Sequence, residues 1–155
     1  MARFLWLLLI TVLAAQTTSR AAAEPPVTTL YVQFIRGTNE QKPKQSNWKL
    51  IGPKLSKRLS PVFKWQNYWE VSQQAVAVYP GKVSMVPLDE TRRLELELVN
   101  AKEIEMRVYQ NRNLTRKSRQ PVQSDRMEII GGSHERETCW FVVVRHDKPQ
   151  SQDGE

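Results

Sequence analysis

Apolar residues recur at every second position through much of this chain, a period that reads as β-strand rather than helix. The clearest stretch sets Leu94, Leu96 and Leu98 against Arg93, Glu95 and Glu97. After Asn100-Ala101, Ile104, Met106 and Val108 alternate in the same way with Glu103, Glu105 and Arg107. Two such runs around a short connection predict an antiparallel hairpin with one buried face and one charged face in water. Thr28–Arg36 predicts a first strand, built from Leu30, Val32 and Phe34 alternating with Tyr31, Gln33 and Ile35 and ended by Gly37-Thr38-Asn39. Residues 40–50 are polar, contain Pro43 and read as loop.

Further along, the apolar phase is odd-numbered in Tyr68-Trp69-Glu70-Val71 and even-numbered at Val76 and Val78. The change at Ser72-Gln73-Gln74 predicts a bulge or a break between two strands. Tyr79-Pro80-Gly81-Lys82 predicts a type II turn, since proline pre-sets its first central dihedral and glycine accepts the positive one. Val83 and Met85 open a strand ending near Pro87-Leu88, and Gln110–Asn113 forms the next turn. Leu114–Val122 reads as a polar, basic edge strand, and Met127–Ile130 as a short one ended by Gly131-Gly132. Thr138–Val144 is apolar on both faces, as a central strand would be. Only Pro53–Ser60 has helical spacing, with Leu55 and Leu59 four apart and Ser60-Pro61 as its stop. It is expected to lid one end of the sheet. About eight short strands and one short helix predict an all-β domain, an antiparallel β-sandwich, with a small β-barrel as second choice.

The chain opens differently. Arg3 precedes the apolar run Phe4–Leu13, and small residues recur at Ala14-Ala15 and Ala21-Ala22-Ala23. A run of about ten residues is half of what a membrane-spanning helix needs, and the three-part pattern is that of a secretory signal peptide. Cleavage is expected after Ala23, with Ala15 as second choice. The expected organisation is a signal at 1–23, one β-sandwich domain at 24–147 and a disordered polar tail at 148–155. Of 155 residues, 132 then remain, and the +7 charge falls to +5 because Arg3 and Arg20 leave with the signal. Cys139 is the one cysteine, so an intramolecular disulfide is excluded; its apolar neighbours predict a buried thiol.

No sequence pattern of a catalytic nucleophile, a zinc protease or a phosphate-binding loop is present, no cofactor is implied, and no catalytic residue is assigned. His134 and His146 flank a strand about 23 Å long, so one metal ion cannot join them, and no metal site is expected. The glutamates of the hairpin alternate with arginines and read as cross-strand charge pairs rather than as a glycosidase pair. Asn113-Leu114-Thr115 fits a glycosylation acceptor pattern and is read as chance.

The most informative segment is Gln41–Trp69. It carries Lys42, Lys44, Lys49, Lys54, Lys57, Arg58 and Lys64 with no acidic residue, interleaved with Trp48, Phe63, Trp65, Tyr68 and Trp69. A second acid-free cluster, Arg112, Arg116, Lys117 and Arg119, lies on the polar edge strand and its turn. Cations beside flat rings suit polyanions, through charge and through stacking. The partners this implies are an anionic polymer, a lipid head group or an acidic protein, with nucleic acid ranked lower because of the exported location. The other reading makes Trp65, Tyr68 and Trp69 core residues and the lysines a solvated face; both stay open on the sequence. The expected role is a non-enzymatic exported binding or accessory module, with a small hydrolase acting on an envelope polymer as the alternative.

The run Lys57–Val71 into an aromatic strand, then leucine-alternating strands, then Ile129-Ile130-Gly131-Gly132 before a final apolar strand, resembles the layout of small uncharacterised proteins of the bacterial cell envelope. The resemblance implies a β-sandwich and an envelope address, and it transfers no functional residue.

Overall fold

In the computed structural model the described residues are 28–40, 47–100, 102–123, 125–134 (backbone only at 133 and 134) and 138–150. The expected signal and the residues Lys42 and Lys44 lie outside them.

The alternation in the hairpin sets one sheet. Arg92–Asn100 (β5) pairs antiparallel with Glu103–Gln110 (β6), and Leu96 stands opposite Met106. Val83–Pro87 (β4) flanks β5, and Asn113–Pro121 (β7) flanks β6 as an edge strand. The turn between β6 and β7 has two residues, Asn111 and Arg112, both at positive φ (49° and 75°), the geometry that matches strand twist in two-residue hairpins.

The second sheet has five strands. Thr28–Thr38 (β1) lies between Asn67–Val78 (β3) and Thr138–Arg145 (β9); Lys49–Leu50 (β2) borders β3, and Met127–His134 (β8) borders β9. All pairings within the two sheets are antiparallel. The sequence phase change is a bulge within one continuous strand: Phe34 pairs with Ser72 and Ile35 with Glu70, leaving Val71 over. The predicted type II turn is present, with Gly81 at φ 65° and Lys82 N donating to the Tyr79 carbonyl.

One face of β1 and β9 carries Leu30, Val32, Phe34, Trp140, Val142 and Val144. These pack against Leu94, Leu96, Leu98, Ile104, Met106 and Val108 of the other sheet. The all-β antiparallel sandwich is therefore the fold, with nine strands among the described residues.

Some details depart from the sequence reading, and others it left open. Pro53–Leu59 (α1) does not lid an end of the sheet; it lies on the outer face of the five-stranded sheet, where Leu55 and Leu59 join Ile35, Tyr68, Cys139, Phe141 and Val143 in a second core. Seven residues are too few for a helix to persist alone, so burial of its two leucines, about 1.5–3 kcal/mol each, holds it there. In β4 the apolar residues Val83 and Met85 point outward, 45% and 69% exposed, and Val86 points in. Finally, β8 runs on through Gly131-Gly132, because these glycines let neighbouring rings lie against the strand: a Cβ on Gly132 would stand 2.4 Å from the Trp140 ring.

Of the expected tail, Lys148–Gln150 are described. Pro149 is buried, and the Gln150 carbonyl oxygen lies 2.6 Å from where a Cβ on Gly52 would stand.

Candidate functional site

Turning Leu55 and Leu59 inward places Lys54, Lys57 and Arg58 on the solvent side of α1, all exposed. Lys64 is exposed just beyond the helix, and Lys49 is exposed on β2, directly opposite Glu70 of β3. Lys54 Nζ meets Asp147 Oδ2 at 3.0 Å. Among the described residues no carboxylate pairs with Lys57, Arg58 or Lys64, so the far end of the helix face is left cationic.

The aromatic residues divide differently from the charges. Trp69 is buried at 8% exposure and has no ring face to offer a ligand. Tyr68 is buried at 3% and donates its hydroxyl to the Phe63 carbonyl at 2.6 Å. Trp65 and Phe63 are half-buried against the second core. The Trp65 ring lies on Gly37, its Cδ1 2.8 Å from the position of a Cβ there. Trp48 is half-buried ahead of β2. Tyr68, Phe63 and Trp65 share a cluster with Leu55 and Leu59 and anchor the helix to the sheet.

Arg112, Arg116, Lys117 and Arg119 sit on the other sheet, and the fold does not join them to the α1 face. Arg119 and Lys117 reach the Glu105 carboxylate at 2.8 and 3.0 Å, and Arg107 reaches it at 2.8 Å. Arg107 also bonds Glu97 at 2.8 Å and Glu95 at 3.2 Å. Hydrogen bonds from Arg119 and Lys117, aided by Arg107, hold the Glu105 carboxyl at about 2, below the usual carboxylate range. Arg116 donates to the carbonyls of Gly131 and Thr115, and Arg112 forms the exposed turn. Lys117 and Arg119 are thus committed to their own sheet, and Arg116 reaches across to β8 of the other. The cross-strand pairing expected for the glutamates is what the hairpin contains.

Between the start of α1 and the outer face of the five-stranded sheet lies a cavity of about 200 Å³. Gln33, Lys54, Leu55, Arg145, Asp147 and Lys148 line it. Gln33 is 2% exposed and donates its amide to Glu70, while its Oε1 is buried with no hydrogen-bond partner among the described residues. Arg145, 4% exposed, holds Asp147 through both Nε and a terminal nitrogen. Paired to Arg145 first and Lys54 second, the Asp147 carboxyl is held well below its ordinary range. Sequence reading missed this site. The available signal was Arg145-His146-Asp147 at the end of an apolar strand, where a spacing of two puts both charges on one side.

Cys139 is buried, its thiol pushed up to about 11 by loss of solvent. Among the described residues no three His, Cys, Asp or Glu side chains stand together as metal ligands, and no helix is long and apolar enough to cross a membrane. Compared with protein-family models, with curated proteins and with solved structures, the chain matches none.

Proposed function

We propose that this chain is an exported, non-enzymatic binding or accessory module that takes an anionic polymer on the outer face of α1. The observation that carries the reading is the separation of roles on α1. Its leucines dock it to the sheet, and Lys57 and Arg58, with Lys64 beyond, face solvent without a carboxylate partner among the described residues. A face of this kind attracts phosphate, sulfate or carboxylate groups along a chain. The competing reading, a small hydrolase working by carboxyl acid catalysis, needs a carboxyl that stays protonated near neutrality. Asp147, the carboxylate lining the cavity, is instead held ionised by Arg145 and Lys54.

The test is titration with dextran sulfate at several salt concentrations. Each neutralised anionic group contributes roughly 0.7–0.9 to the slope of log affinity against log salt, taking nucleic acids as the guide. Replacing Lys57, Arg58 and Lys64 by Gln removes about two to three of those units and leaves stability within about 0.5 kcal/mol per site, as for exposed positions generally. Salt-independent binding, or a triple variant that binds like the parent, refutes the reading.

A further inference from the structure

Each sheet ends in two margins, at β2 and β8 in one and at β4 and β7 in the other. Three of the four carry covering contacts. β2 is only Lys49–Leu50, and beyond it β3 meets β4 through side chains. Ser84 Oγ donates to the Ala77 carbonyl at 3.0 Å, and Gln74 Nε2 donates to the Pro87 carbonyl at 2.8 Å. On β8 the Gly131 carbonyl accepts from Arg116 Nε at 3.3 Å, and Met127 and Ile130 are buried. β7 is the margin that remains.

The register shows which of its backbone groups are left over. Val122 N donates to the Lys102 carbonyl at 2.7 Å, continuing the ladder in which Pro121 faces Glu103. Bonded and non-bonded pairs alternate in an antiparallel ladder. Arg116, Ser118 and Gln120 therefore turn their N–H and C=O groups toward β6, and Lys117 and Arg119 turn theirs away. Pro121 adds a carbonyl without an N–H and ends the row on that side. At the other end the Thr115 carbonyl accepts from Arg116 Nη1 at 2.9 Å. Among the described residues no hydrogen bond from another strand or a side chain reaches the outward groups of Lys117 and Arg119, and both residues are exposed.

A row of unpaired backbone donors and acceptors is a template for one more strand. Charge decides which strand it accepts. Arg112, Arg116, Lys117 and Arg119 lie along this edge and its turn with no acidic residue among them. One carboxylate, Glu105, reaches Lys117 and Arg119; Arg112 and Arg116 meet none among the described residues. A second β7 laid beside the first would set cation against cation, a destabilising arrangement across strands. The edge is thus protected from its own copy and open to a strand of opposite charge.

We infer that β7 takes an acidic, extended peptide as a fifth strand of its sheet, bonded through the N–H and C=O groups of Lys117 and Arg119. The main chain supplies the attachment, and the excess positive charge of the edge supplies the choice of partner. The side chains of Lys117 and Arg119 stay on Glu105. This edge belongs to the sheet that does not carry α1, so it is a site separate from the helix face.

The experiment is fluorescence anisotropy with a labelled heptapeptide alternating Glu and Val, which puts every carboxylate on one face of the strand. Saturable binding is expected, at least about tenfold tighter than that of the Lys-Val counterpart. A copy N-methylated at its three central residues keeps the charges, loses N–H groups on both edges, and binds at least about tenfold more weakly. Arg119→Pro removes an outward N–H without removing a bond to β6. It weakens the peptide about tenfold more than Arg119→Gln, which removes the charge alone. Where Arg119→Pro fails to fold, the N-methylated peptide carries the test. Replacing Lys57, Arg58 and Lys64 by Gln leaves peptide affinity within about twofold. Equal binding of the N-methylated and parent peptides overturns the inference, as does equal binding of the Lys-Val peptide or no saturable binding. Loss of peptide binding in the α1 triple variant also overturns it and moves the peptide to the helix face. A dimer in sedimentation that Arg119→Pro dissolves makes the edge a self-interface and overturns the choice of partner.

Discussion

Trp65→Ala separates a ring that anchors the helix from a ring that stacks on a ligand. A half-buried tryptophan covers roughly 100–150 Å² of apolar surface; at about 25 cal/mol per Å² that is worth about 2.5–4 kcal/mol, in line with about 3–5 kcal/mol for buried Trp→Ala changes. The ring lies on Gly37 and packs with the cluster that includes Cys139 and Phe141, so its removal opens the seam between α1 and the sheet. Taking about 3 kcal/mol and a urea m-value of about 2 kcal/mol/M, the unfolding midpoint falls by about 1.5 M. Gly37→Ala presses on the same seam from the other side. Its methyl would stand 2.6 Å from Cys139 Sγ and 2.8 Å from Trp65 Cδ1, an overpacking worth about 1–3 kcal/mol. In the Trp65→Ala background only the sulfur contact remains, so the two costs add to less than their sum. Dextran sulfate affinity of folded Trp65→Ala stays within about twofold of the parent, less than 0.5 kcal/mol. A midpoint shift below about 0.3 M together with a tenfold loss of affinity refutes the anchoring role.

Acid sensitivity follows from Glu105. Its folded-state value, about 2, lies below its unfolded one, so its contribution is complete above about pH 4.5 and is lost as pH falls through about 2. Glu105→Gln should therefore flatten the fall in stability over that window in urea titrations; equal pH slopes for parent and variant contradict the assignment. Cys139, buried and with its thiol at about 11, should resist iodoacetamide at pH 8 until urea unfolds the chain. Complete labelling of the native protein within minutes contradicts its burial.

What could be read from the residues was whatever local alternation dictates. The strands β5 and β6, the turn at Pro80-Gly81, the edge position of β7 and the inward leucines of α1 each follow from a pattern a few residues long. The location of α1 did not, because Leu55 and Leu59 announce an apolar face without naming the surface that receives it. Gly131 and Gly132 read as a strand end because glycine weakens strands. They are strand interior here because rings on β9 occupy the space a side chain would fill. The phase of β4 was left open by the residues: Val83 and Met85 have β-strand character, yet it is Val86 that is buried between the sheets. The cavity was least legible, since it brings Gln33 together with Lys54 and Arg145 across more than a hundred residues.

The pairing of β1 with β9 also decides how the domain bears load. Tyr31 stands opposite Arg145 and Thr38 opposite Thr138, so the first strand begins where the last one ends. Thr28 Oγ1 and His146 Nδ1 are 3.3 Å apart at that shared end. A force pulling those two points apart meets the rungs one at a time, from Tyr31–Arg145 inward, rather than all together. The β1–β9 seam therefore opens as a zip under tension, at a force set by single rungs, even though both strands are deeply buried.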